Sequence, residues 1–71
     1  MIEEEKRELY REGEVVEVEK TEKGYAIGVK DNFVIEFFFS DKPINKGARV
    51  KVYRVYGGKN LKSRFEIVIC D

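Results

Sequence analysis

At 71 residues the chain makes one domain with a thin core, since a chain this short buries only about 60% of its unfolded surface, and a substrate pocket of roughly 300 Å³ would hollow it out. It has no histidine and a single cysteine, Cys70, which excludes an internal disulfide, leaves a structural zinc site short of ligands and removes the commonest general base. The formal charge is 0, yet residues 1–19 carry eight glutamates against three cations and residues 46–71 seven cations against two acids; such asymmetry points either to a polyanionic partner or to two ends that neutralise each other.

Met1–Glu12 (MIEEEKRELYRE) is a charged arm with Ile2, Leu9 and Tyr10 as its only apolar residues. It is read as a frayed segment or a short helical turn ahead of the domain at 13–71, because an isolated helix of this length is marginal. Glu14–Lys20 alternates as a strand, with Val16 and Val18 on one side and Val15, Glu17 and Glu19 on the other. After the turn Thr21–Gly24, Tyr25–Lys30 places Tyr25, Ile27 and Val29 on one face and the small residues Ala26 and Gly28 on the other, the mark of a bend or a close backbone approach.

Asp31-Asn32 reads as a tight turn. Phe33–Phe39 (FVIEFFF) is the strongest strand, with Phe33, Ile35, Phe37 and Phe39 expected as a core wall and Phe38 expected to point outward. The loop Ser40–Gly47 follows. In Ala48–Tyr56, Val50 and Val52 are expected inward and Arg49, Lys51 and Tyr53 outward; Val55 then falls out of phase, which a bulge near Tyr53-Arg54 would repair. A glycine hairpin, Gly57–Asn60, leads to a last strand with Leu61, Phe65, Ile67 and Ile69 inward and Lys62, Arg64 and Glu66 outward.

Five strands in so short a chain predict an all-β fold, a small five-stranded antiparallel OB-like barrel, since closure removes exposed edges. No phosphate loop, nucleophile elbow or histidine triad is present, so no catalytic residue, cofactor, metal or small-molecule substrate is expected. With no apolar run approaching about 18 residues and an acidic N-terminus, a cytoplasmic protein without a membrane partner is expected. High charge without glutamine or tryptophan hints at a thermophilic source.

The pattern that bears on function is a basic strand face interleaved with aromatics. If the last two strands pair, Arg49, Lys51, Arg54, Lys62 and Arg64 could meet phosphates while Tyr53, with Tyr25 and Phe38 nearby, stacks on bases, the combination single-stranded nucleic acid requires. The alternative is that these cations only solubilise strand faces, and that the domain docks on a larger protein or ribonucleoprotein assembly through an exposed Phe38 and the charged arm.

Several stretches resemble the TRAM domain, a small OB-like barrel attached to RNA-modifying enzymes and also found as a stand-alone archaeal protein. The resembling residues are Gly13-Glu14-Val15-Val16-Glu17-Val18, the turn Gly24-Tyr25-Ala26-Ile27-Gly28, Asn32–Phe37, the basic strand Gly47–Val55 and Ser63–Val68. Tyr25 and Ala26 depart from the family's glycine-rich turn. The resemblance implies RNA binding of low specificity, to tRNA or rRNA, including a chaperone-like remodelling of RNA.

Overall fold

The computed structural model describes residues 4–58 and 62–70. It is one antiparallel sheet of β1 (Glu5–Lys20), β2 (Tyr25–Asp31), β3 (Val34–Ser40), β4 (Arg49–Gly57) and β5 (Arg64–Cys70), in the order β3-β2-β1-β4-β5. Among the described residues there is no helix. The segment Glu5–Glu12, read as frayed or helical, is strand: it pairs with β4 from Glu5 opposite Gly57 to Glu12 opposite Lys51. Alternation is masked there by charge, and β4 supplies the partner that the sequence left unassigned.

β1 serves two partners. Its first half pairs with β4, its second with β2, and Glu14 sits opposite both Arg49 and Lys30. Two register shifts, at Tyr10 and at Val16, let this 16-residue strand bend between them. The second shift explains why Val15, not Val16, is fully buried. At the bend, a Cβ on Gly13 would lie 2.1 Å from the Lys30 carbonyl oxygen, so only glycine lets the two backbones approach. The Val15 N–H donates to Ala48 O at 2.9 Å and Gly47 N–H to Val15 O at 2.8 Å, which pins the β3–β4 loop and sinks Ile44 into the core.

The core is Val15, Ile27, Val29, Phe38, Ile44, Val50 and Val52, with Val18, Tyr25, Ala48 and Ile67 packed against it. The inward placement of Val50, Val52, Ile27 and Val29 agrees with the alternation in the sequence. β3 is inverted relative to expectation: Phe38 is buried, whereas Phe33, Ile35, Phe37 and Phe39 are exposed. The reason is the register. Ile27 and Val29 face Phe38 and Glu36, and cross-strand partners share a face, so Phe38 falls on the core side of β3. The turn sits at Asn32-Phe33, one residue later than expected, with Asn32 at φ 57°.

The expected bulge in β4 is also absent. Its register with β5 runs unbroken from Arg49 to Val55, and the shift lies opposite, in β1 at Tyr10. Val55 therefore stays on the outer face, yet it is fully buried, between Arg7 and Arg64 as its cross-strand neighbours. On β5, Ile67 packs on the core, while Phe65 and Ile69 remain partly exposed; Leu61 lies outside the described residues.

The sheet does not close into a barrel. β3 and β5 are its two edges, and they approach through side chains: the Phe38 and Phe65 rings are 5.3 Å apart, and Tyr10 lies 6.0 Å from Phe38 and 4.8 Å from Phe65.

Candidate interaction surface

Arg49, Lys51 and Tyr53 do emerge together on the outer face of β4. They do not form an isolated cationic patch, because the acidic first strand lies beside them rather than facing away. Glu14 stands opposite Arg49 and Glu12 opposite Lys51. Arg64 is ion-paired to Glu5 at 3.0 Å, and Glu66 receives both Arg64 and Arg7. Tyr53 lies between Leu9 and Glu66 in register, with the Arg7 guanidinium 5.2 Å from its ring centre. Arg54 is on the other face, opposite Glu8 and 5.8 Å from the Tyr56 ring centre. Lys62 precedes β5 and is exposed.

The stacking residues are redistributed too. Phe38, expected as an exposed aromatic, is only 4% exposed and belongs to the core. Tyr25 packs against that core. The first strand thus runs beside the cationic β4, and Arg64 is ion-paired to it through Glu5.

A run of exposed apolar side chains lies elsewhere, on the outer face of β3 and in the turn before it. Phe33 is 98% exposed, and Ile35, Phe37 and Phe39 are 48%, 52% and 57% exposed. Beside them on β2 stand Lys30, Gly28 and Ala26, and beyond those on β1 stand Glu14, Glu17 and Glu19. The small residues let the rings lie against the sheet: a Cβ on Gly28 would come within 3.1 Å of the Phe37 ring, and one on Gly24 within 2.8 Å of the Phe39 ring. This surface was missed because four alternating apolar residues read as a core wall. The small face of Ala26 and Gly28 was the available signal, since the residues opposite it on β3 share that face rather than the Ile27 and Val29 face.

At the open seam, Phe39–Asp41 and Arg64–Ile67 line a cleft of about 330 Å³. Near it, Glu36 accepts from the Tyr10 hydroxyl at 3.0 Å and from Arg11 Nε at 3.1 Å. The hydrogen bond to this carboxylate, then its negative charge, holds the Tyr10 phenol above its ordinary pKa. Tyr56 is raised in the same direction, first by its hydrogen bond to Glu8. Among the described residues no three His, Cys, Asp or Glu side chains gather where they could hold a metal ion, and no helix is long and apolar enough to cross a membrane.

The outer face of β3 and β2 is therefore an apolar, aromatic stripe bordered by an acidic strand. Comparison of the chain with models of protein families, with curated proteins and with solved structures returned no match.

Proposed function

We propose that this chain is a non-catalytic protein-interaction module whose working surface is the outer face of β3 and β2. The observation that carries this reading is Phe33 in the β2–β3 turn followed by Ile35, Phe37 and Phe39 on the edge strand β3, all about half exposed or more. The largest apolar patch on a soluble monomer, typically ~300–600 Å², is often functional, and aromatic residues dominate the energy of protein contacts. The bordering glutamates of β1 would repel a phosphate backbone and suit a neutral or basic protein rim.

The test is a photoreactive phenylalanine analogue at position 39, with the same analogue at position 53 as control, irradiated in an extract of the source cells. Protein adducts identified by mass spectrometry, formed from position 39 and lost on adding Phe37→Asp, are expected. Equal labelling from both positions, or adducts that ribonuclease removes, would overturn the reading.

A second reading is RNA binding by a TRAM-like or OB-like module. It is supported by Arg49, Lys51 and Tyr53 sharing one face and by the lack of an ion pair for Arg49 or Lys51 among the described residues. The approach of the edges β3 and β5 through the Phe38 and Phe65 rings, 5.3 Å apart, is in keeping with an OB-like reading of the open sheet. Binding of this kind would weaken steeply with salt as counterions are released; a titration of labelled single-stranded RNA that is flat between low and moderate salt refutes it.

A further inference from the structure

We infer that the partner covering the β3 stripe is a second copy of this chain, giving a two-fold dimer centred on Phe37; this rests on the reading of that face as a protein-contact surface. Three observations carry it.

The first is excess surface. A folded monomer of 8.3 kDa exposes about 4,600 Å² by the usual scaling with mass, whereas this chain exposes 5714 Å². Its radius of gyration is 13.0 Å, against about 11 Å expected for a compact domain of this length.

The second is area. A phenylalanine offers ~150–250 Å², so Phe33, Ile35, Phe37 and Phe39 at their observed exposures present roughly 500 Å² of apolar surface. Two copies joined through the stripe remove about 1,000 Å², the lower bound for a specific interface, before any rim is counted. A two-fold axis gives each copy the same patch to bury. With the axis running along β3 in the plane of contact, Ile35, Phe37 and Phe39 each meet their own counterpart in the second copy.

The third is charge. The formal net charge is 0, so no long-range repulsion separates two copies. The glutamates of β1 lie two strands away from β3, so an axis on β3 sends the two acidic columns to opposite sides of the contact.

Sedimentation of the purified full chain from about 5 to 500 µM, at low and moderate salt, tests this. A monomer–dimer equilibrium is expected that moderate salt does not weaken, the opposite of a phosphate-driven complex. Phe37→Asp is expected to weaken the dimer at least tenfold. Phe33→Asp, at a side chain so exposed that the fold is unaffected, is expected to weaken it in the same direction. A chain monomeric throughout, or a dimer indifferent to both substitutions, overturns the inference. Face-dependent adducts to a different protein from position 39, alongside a monomeric chain, would sink the dimer and leave the interaction reading standing.

Discussion

Truncating Phe38 should be far more damaging than truncating Phe37, although the two are adjacent and chemically identical. Phe38 is 4% exposed and its ring contacts those of Tyr10 and Phe65. Its burial contributes about 1.5–3 kcal/mol, each aromatic pairing adds about 0.5–1.5 kcal/mol, and the void left by Phe38→Ala adds a further cost, for a total near 3–5 kcal/mol. Phe37 keeps 52% of its surface in water and rests on Gly28, so Phe37→Ala forfeits about half a burial, near 1 kcal/mol. Domains are stable by about 0.05–0.15 kcal/mol per residue, so the larger loss approaches the whole stability of this chain. The assay is urea unfolding followed by circular dichroism, at a concentration low enough to keep the chain monomeric. Should Phe38→Ala fail to fold, Phe38→Leu, which keeps most of the volume, should still cost more than Phe37→Ala. Equal costs at the two positions, or a larger one at 37, would refute the inward assignment of Phe38.

Three other outcomes are expected. Gly13→Ala should destabilise by about 2 kcal/mol or more, because its Cβ meets the Lys30 carbonyl backbone; Gly47→Ala, with open space around its Cβ and φ of +91°, meets only backbone strain and should cost less, near 1 kcal/mol. Arg64→Ala should cost under about 1 kcal/mol in thermal melts, since its pairs with Glu5 and Glu66 are solvent-exposed, whereas Val55→Ala beneath it should cost more. Because the Tyr10 pKa is raised on folding, its contribution to stability is complete below the phenol's unfolded pKa and is lost as pH climbs through the folded one; Glu36→Gln should lower that folded pKa, read as an earlier rise in tyrosinate absorbance on alkaline titration.

The strands themselves were legible because valine, isoleucine and phenylalanine alternate where β2, β4 and β5 run. The inner face of β4 was readable from Val50 and Val52 alone. The orientation of β3 was recoverable by pairing arithmetic: a two-residue turn places odd residues of β2 against even residues of β3, so a core containing Ile27 and Val29 must contain Phe38. Individual hydrophobicity pointed the other way, since the odd face holds three phenylalanines and an isoleucine. The strand character of Glu5–Glu12 was not legible, because its charged side chains satisfy no period and its pairing depends on residues far along the chain. For the same reason the cationic face looked isolated: nothing local to Arg49 or Arg64 announces that Glu14 and Glu5 will lie beside them.

The central position of β1 has a consequence for biogenesis. Its first half waits for β4, with Glu5 pairing only when Gly57 arrives, so the nascent chain leaves the ribosome tunnel with its middle strand half unmatched. The β2–β3 hairpin closes a far shorter loop than the pairing of Glu5 with Gly57 does. The outermost residues of β1 thus depend on the longest-range pairing in the sheet, and their charged side chains keep that span compatible with water until it is made.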